Sequence, residues 1–467
     1  MTATANFASR LESALGVSQV IADPAVCAEY AVDEIVPAAI AKPTSAEQVA
    51  EIVRFAALEK LALIPCGNRT KLNIGMPPSR YDIALDMTGL NQIAHYDPGD
   101  LTLSVDAGTN FNEFAVPLYN QKQFLPLSVP FYFESTIGGI IASGVDSSLR
   151  HFYGTARDFL IGAEFVDGTG RLCKSGGRVV KNVTGYDLHK LLIGSLGTLA
   201  VITRLNFRTF PGAPASRGFV ASFVSLEDAL AFRNLVEASP LRPSSVELVS
   251  PQLLQLFLDA EQNSAELPPA PLKGKFPDDS WHLCVSIEGT PEVCDRASRE
   301  FGQFTATFAA KNMQLATLGE NEGADLWHYI GQAVPLLLES SPSTTIFKIT
   351  LLPGGMSAVL PQLQSLARQF SLGHATLARS CGVMYLAFVP SANDATAPSN
   401  LAQACSAIFA LCSKEGAWAT LPWCPTALKR RVNIWGPPRP DLALQRRLKS
   451  AFDPQDLFAP SRLTLEA

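Results

Sequence analysis

Residues 181–203 read KNVTGYDLHKLLIGSLGTLAVIT, and the three glycines in this stretch decide how the chain around it is understood. Leu188, Leu191 and Leu192 have the spacing of an amphipathic helix, and Leu199, Val201 and Ile202 read as a buried strand. Gly194 and Gly197 fall between the two. A left-handed cap or a tight turn is the plain explanation for a glycine at such a junction. Close approach of a ligand to the backbone is the alternative, and other loops of the chain bear on the choice.

Upstream, KPTSAEQVAEIVRFAALEKLALIPCG opens with a capping box from Thr44 to Glu47 and continues as a helix with Val49, Ile52, Val53 and Ala56 on one face. LALIP, residues 61–65, is a short buried strand that breaks into the loop CGNRTKLNIG. Successive backbone N–H groups in such a loop can form a cradle for a phosphate, although a surface turn has the same composition. YDIALDMTGLNQI and LTLSVDAGT read as two strands, with turn signals at Thr88-Gly89 and Pro98-Gly99. The segment STIGGIIASG then places Gly138, Gly139, Ala142, Ser143 and Gly144 within seven positions. A backbone so lightly covered lets helices pack closely, or lets a flat ring or a pyrophosphate approach. FLIGAEFVDGTGRLC is a hairpin about 167–170. Three glycine-bearing loops within about 140 residues are accounted for together by one ligand with phosphates and a ring. No strand is followed by G-x-G-x-x-G, so a Rossmann site for NAD or NADP is disfavoured.

The 467 residues exceed one simple core and point to two domains, or three with small additions. The 37 basic and 43 acidic residues leave a net charge of −6, and the longest basic run is KRR at 429–431, so a nucleic-acid binder is set aside. No apolar segment reaches the roughly 18–20 residues that span a bilayer, and MTATANFASRLESALG is unlike a secretory leader. These features suggest a soluble, cytoplasmic protein. Nine scattered cysteines without C-x-x-C argue against a disulfide framework or an iron–sulfur cluster held by this chain. Six histidines, none at H-x-H or H-x-x-x-H spacing, give little support to a metal site.

With PCGNRTKLNIG, STIGGIIASG, RHFYGTARDFLIGAEFVDGTG and KNVTGYDLHKLLIGSLGTLAVIT together, the chain resembles the FAD-linked oxidases of the vanillyl-alcohol oxidase type, also called the PCMH flavoprotein fold. The resemblance runs from about residue 35 to 212. GGRVVKNVTGYDLHKLLIGSLGTLAVIT and the tail VNIWGPPRPDLALQRRLKSAFDPQDLFAPSRL are similar, within that family, to the FAD-binding subunits of bacterial glycolate oxidases. The fold implied is α+β. A PCMH-type FAD-binding domain of two α+β subdomains covers 1–212, an α+β cap with an antiparallel sheet covers 213–425, and 426–467 returns to the FAD domain.

Carried onto this sequence, the resemblance implies that Pro65, Cys66, Gly67, Asn68, Arg69, Thr70, Lys71 and Leu72 cradle the pyrophosphate. It places Thr136, Gly138, Gly139, Ser143 and Gly144 along the ADP half and the ring, with Tyr153, Asp158, Val201 and Ile202 beside them. Gly185, Gly194, Gly197 and Thr198 would let the main chain run against the flavin. Many relatives attach FAD through a histidine in the pyrophosphate loop, and this loop has none, which implies non-covalent FAD. Gly67-Asn68-Arg69 stands where many relatives have Gly-Gly-Gly or Gly-Ser-Gly, and FAPSR stands where FNPGR is usual.

Composition changes at PGAPASRG, and strand–helix–strand patterns then begin at GFVASF and at WHLCVSIEG. Relatives that oxidise 2-hydroxy acids carry H-x-G-x-G-x-x-H in the cap, which binds a metal and takes a proton. The corresponding stretch here is RSCGVMYLAF, 379–388, which has neither histidine and offers Arg379, Cys381 and Tyr385. Lys348, on the strand face shared with Ile346 and Thr350, is the best cation to meet a carboxylate, with a solvent-facing lysine as the plainer alternative. His374 reads as a loop histidine at a strand start. Lys348, Tyr385 and Arg379 are thus the candidate catalytic residues, with no metal.

Three functions remain. The first is an FAD-bearing subunit of a glycolate oxidase-type complex, acting on a small 2-hydroxy acid beside a catalytic flavoprotein and an iron–sulfur partner, with membrane contact only through partners. The second is a self-sufficient dehydrogenase, and the third a non-catalytic assembly subunit. The first is the expectation, because the FAD stretches are kept and the histidine pair is absent.

Overall fold

The computed structural model describes residues 9–13, 19–178, 185–263, 267–270, 272–308, 311–391 and 397–463. The first sheet holds β1 (Val20–Ile21), β2 (Ala39–Ala41), β3 (Leu63–Cys66) and β4 (Ile83–Asp86), in the order β1-β2-β4-β3. β2, β4 and β3 are parallel, which requires crossovers, and the helix Ala46–Glu59 supplies the one between β2 and β3. It buries Val49, Ile52, Val53 and Ala56, as its apolar spacing predicts. The cap is one residue later than the sequence suggests: Ser45 Oγ accepts from Gln48 N–H at 3.2 Å, and Gln48 Oε1 accepts from Thr44 N–H at 2.8 Å.

The second sheet is built from β5 (Ile93–Asp97) and β6 (Thr102–Asp106) and, beyond the short β7 (Gln123–Phe124), from β8 (Leu160–Val166), β9 (Leu172–Gly176) and β10 (Val201–Arg208). Its order is β5-β6-β10-β8-β9, all antiparallel, and β11 (Phe210–Pro211) pairs with β7 alone. The segment read as two strands over 81–109 is therefore three, with β4 in a different sheet from β5 and β6. The helix expected through Leu188, Leu191 and Leu192 is a 3-10 turn, Leu188–Leu191. Gly194, Leu196 and Gly197 follow with φ of 75°, 52° and 68°. Three left-handed residues in four leave no room for a regular helix to continue into β10. Residues 181–184 of that stretch lie outside the described residues.

The cap is one eight-stranded antiparallel sheet of β12 (Ala215–Phe223), β13 (Ser245–Val249), β14 (Trp281–Gly289), β15 (Gln314–Leu318), β16 (Thr345–Thr350), β17 (His374–Arg379), β18 (Val383–Phe388) and β19 (Trp418–Trp423). On one face Phe219, Phe347 and Leu386 pack with Phe232, Phe301, Leu360 and Ile408 from four helices. On the other, Val220, Ile346 and Tyr385 pack with Phe257, Leu326 and Val334 from three helices, and with Ile74 of the FAD domain. Phe131, Val145 and Leu196, also from the FAD domain, close over this second face. Strand alternation decides which polar side chains reach it. Val246 and Leu248 occupy the first face, so Glu247 occupies the second, and Arg379 follows Ala378 by the same rule.

The last segment folds back on the first sheet. Leu63 N–H donates to Leu457 O and Ala459 N–H donates to Leu63 O, both at 2.8 Å. Lys449 Nζ donates to Thr198 O and Phe458 O, both at 2.9 Å, so the turn ending the opening stretch is held by the tail.

Candidate functional site

Beyond β3 the chain enters the loop that carries Gly67. A Cβ on Gly67 would overlap Thr136 Oγ1, so backbone alone fits there. Thr136 caps the helix Ile137–Ser143, its Oγ1 accepting from Gly139 N–H at 3.3 Å. A Cβ on Gly138 would stand 2.7 Å from Ala107 O. Small residues thus let loop, helix and β10 meet through their main chains, leaving two small cavities of about 70 and 60 Å³. These share Pro65, Cys66, Gly67, Gly139, Ala142 and Leu196 and so form one groove.

Two buried cations line the first cavity. Lys71, 9% exposed, donates to Ser135 Oγ and, at 3.2 Å, to Thr70 Oγ1, and its Nζ stands 5.4 Å above the Phe131 ring. Arg462 Nη2 donates to Leu72 O at 2.6 Å and to Ile74 O, while Nη1 has no hydrogen-bond partner among the described residues. Neither cation has an ion pair among those residues. Burial lowers Lys71 to about 7, with Glu134 the charge opposing the shift, and lowers Arg462 to about 10, opposed by Asp33. Buried cations with no ion-paired carboxylate among the described residues, beside backbone that a Cβ would obstruct, fit the pyrophosphate of FAD.

An anion stabilises the protonated lysine, so the sign of the pH effect follows. Affinity for FAD is expected to be flat below about pH 7 and to fall by up to about tenfold per pH unit above it, as Lys71 loses its proton in the ligand-free protein. FAD titrations at pH 6, 7, 8 and 9 check this, and a flat profile would sink it.

The groove gathers most of the loop residues expected from the sequence. Pro65, Cys66, Gly67, Arg69, Thr70, Lys71, Leu72, Gly139 and Ser143 line the first cavity, and Gly138, Gly197 and Ile202 the second. Asn68 instead donates to Glu134 O at 2.7 Å, and the Arg69 guanidinium sits 4.2 Å over the Tyr30 ring. Burial holds the Cys66 thiol well above its ordinary range, hence protonated. Gly144 and Gly194 stack backbone on backbone, a Cβ on Gly144 standing 2.9 Å from Gly194 Cα.

Other expected residues lie elsewhere. Tyr153 donates to Glu288 Oε2 at 3.0 Å in an aromatic cluster with Phe124 and Phe210, so its hydroxyl is taken by the cap. Asp158 caps its own turn, accepting from Thr155 N–H at 2.7 Å. Val201 packs in the core behind the first sheet. Thr198 Oγ1 is spent on Ser195 O at 2.7 Å, and Gly185 is exposed with nothing against it among the described residues.

The cap contributes a charged cluster. Lys348 Nζ lies 3.0 Å from Asp146 Oδ2, so it is not the solvent-facing lysine of the plainer alternative. It lines two cavities, of about 240 and 520 Å³, which share Ile193. Tyr385 is its partner across β16 and β18, and Arg379 stands 5.1 Å over the Tyr385 ring and 3.1 Å from Glu247 Oε1. Burial opposes the Asp146 carboxylate, yet Lys348, Arg379 and Arg150 outweigh it and hold Asp146 below its ordinary range. Burial likewise opposes the Lys348 ammonium, but Tyr385 and Asp146 raise it. Glu247, 0% exposed, is pushed by burial up to about 7. His374 opens β17, its Nε2 2.7 Å from Gln364 Oε1.

Sequence reasoning missed Asp146, Arg150, Glu247 and Arg462. Arg462 carried a signal, since FAPSR keeps the final arginine of the tail pattern. Asp146 and Arg150 pair four residues apart, but the Lys348 that gives the pair its place is remote in the chain, as Arg379 is from Glu247.

Residues 37–176 match the FAD binding domain family, and residues 214–416 match the C-terminal domain of FAD linked oxidases. Glycolate oxidase subunit GlcE of Escherichia coli (strain K12) is 34% identical over 181 residues, which cover 38% of this chain and 51% of that protein, about half its length. Glycolate oxidase subunit GlcD of Bacillus subtilis (strain 168) is 22% identical over 437 residues, 91% of this chain and 89% of the relative. Among solved structures, p-cresol methylhydroxylase with substrate bound superposes with a TM-score of 0.77 at 18% identity, covering 99% of this chain and 97% of that one, a likeness of fold. The two family matches, which together span most of the chain, converge with the groove and its buried cations: the chain belongs to the FAD-linked oxidases, with the fold of p-cresol methylhydroxylase, and FAD is its cofactor.

Proposed function

We propose that this chain is the FAD-binding subunit of a glycolate oxidase-type complex. In that role it takes part in oxidising glycolate or a similar 2-hydroxy acid to the 2-oxo acid, beside a catalytic flavoprotein and an iron–sulfur partner. The names of the E. coli and B. subtilis relatives support the substrate class and the idea of a complex. When bound, FAD accepts the two electrons of the oxidation. The chain's own residues supply the groove, two cations for the pyrophosphate and a charged face at the cap.

One observation carries the reading: the FAD cradle is formed, while among the described residues no group titrating near neutrality lines the cavities beside Lys348, Asp146 being held below its ordinary range. Removing the hydroxyl proton needs a group that titrates near neutrality within reach of the substrate. Lys348 is held protonated, and burial raises Tyr385. Glu247 titrates in a suitable range but is fully buried against Arg379 and lines neither cavity beside Lys348. The base is therefore assigned to the partner. No helix among the described residues is long and apolar enough to cross a membrane, so membrane contact is assigned to partners too.

The test is the visible spectrum of the purified chain under anaerobic conditions, before and after glycolate. The expected result is bound, oxidised flavin that stays oxidised until the partner subunits are added, and that is released intact on denaturation. Bleaching by glycolate alone would establish a self-sufficient dehydrogenase instead.

A further inference from the structure

Lys348 reaches from the cap to the FAD domain and there meets a carboxylate of its own chain. Asp146 Oδ2 lies 3.0 Å from Lys348 Nζ, and Arg150 Nη1 donates to both Asp146 oxygens at 3.0 Å. Asp146 is 6% exposed and follows the left-handed Gly144, which ends the helix Ile137–Ser143. The cavity beside it is lined by Lys348, Arg150, Arg157 and Lys190, and Asp146 is the acidic residue of that lining. Lys190 is matched separately by Asp187 at 2.8 Å, and Arg379 by Glu247.

We propose that Asp146 is a built-in ligand of Lys348 and Arg150, occupying the place where the carboxylate of an external 2-hydroxy acid would bind and so keeping the acid out of the cavity beside Lys348. The inference rests on the subunit reading above and deepens it. A carboxylate clasped between a lysine and an arginine from two domains is the arrangement a substrate carboxylate requires. Here it is intramolecular, so an external acid competes against a very high effective concentration. Binding beside Asp146 without displacing it would bury two like charges together, which a low-dielectric site disfavours. The cations facing Asp146 are Lys348, Arg150 and Arg379, and the Glu247 carboxyl, the Tyr385 phenol and the Cys381 thiol, raised to about 11 chiefly by burial and therefore neutral, also lie within its field. Removing Asp146 leaves Lys348 and Arg150 without a counter-charge and opens the site to an outside carboxylate.

Calorimetric titration with oxalate, a carboxylate that the flavin cannot oxidise as an alcohol, tests this on the whole chain. Wild-type protein is expected to bind oxalate at least about tenfold more weakly than Asp146→Asn. Asp146→Ser should gain binding as Asp146→Asn does, and Asp146→Asn combined with Lys348→Met should lose the gain. Equal oxalate affinities in wild type and Asp146→Asn, or no binding by either Asp146 variant, would overturn the proposal. Glycolate bleaching of wild-type flavin reports separately on the subunit reading, so the two failures are distinguishable.

Discussion

Lys429→Met is expected to destabilise the protein by about 3–5 kcal/mol, the range found when one partner of a buried ion pair is removed. Lys429 Nζ lies 2.7 and 2.9 Å from the two Asp33 oxygens and 2.6 Å from Asn73 O, and the two side chains are 0% and 2% exposed. Thr426 Oγ1 adds a hydrogen bond to Asp33 at 3.0 Å. The pair ties the start of the C-terminal segment to the N-terminal part of the FAD domain and to the loop that carries Lys71. Methionine leaves Asp33 buried with the Thr426 hydroxyl as its hydrogen-bond partner and only the Arg462 charge nearby. Urea unfolding followed by far-UV circular dichroism gives the loss directly. Lys429→Met with Asp33→Leu should recover most of it, because the cost lies in the orphaned charge and not in the missing attraction. A single variant within about 1 kcal/mol of wild type would show that Asp33 is hydrated or protonated in the fold.

The second large effect falls on the cofactor. Gly67→Val is expected to weaken FAD binding by on the order of a hundredfold, through overpacking at the upper end of the roughly 1–3 kcal/mol such substitutions cost. The added Cβ overlaps the Thr136 side chain, whose Oγ1 caps the helix carrying Gly138 and Gly139. Relief of the overlap must move either the loop or that helix, and both line the groove. The ratio of flavin to protein absorbance after gel filtration measures the loss. Gly67→Ala in a Thr136→Gly background, where the obstructing atoms are gone, should regain part of the flavin. Full retention by Gly67→Val would mean that the loop stands away from the cofactor.

Much of the fold was legible because its signals are local. The apolar spacing of Val49, Ile52, Val53 and Ala56 predicts a helix that buries those residues, and the alternation about 167–170 predicts the hairpin of β8 and β9. The 3-10 turn at Leu188–Leu191 was misread because a short leucine repeat fits a helix equally well, and the left-handed run from Gly194 to Gly197 outweighs it. Tyr153 and Asp158 sit in the expected motif, but their polar atoms are used by Glu288 and Thr155. A motif specifies which residues are near one another, not what each finally contacts.

By itself the sequence determined the FAD-linked family, the α+β class and the glycine loops, because strand period and small residues at close approaches are written within a few positions of one another. Tertiary structure alone decided the partners of the charges. Lys348 finds Asp146, Arg379 finds Glu247, and Lys429 finds Asp33, each across strands or domains far apart in the chain. Burial then sets whether each group is charged, since the cost of a buried charge depends on what the fold places within a few ångströms of it.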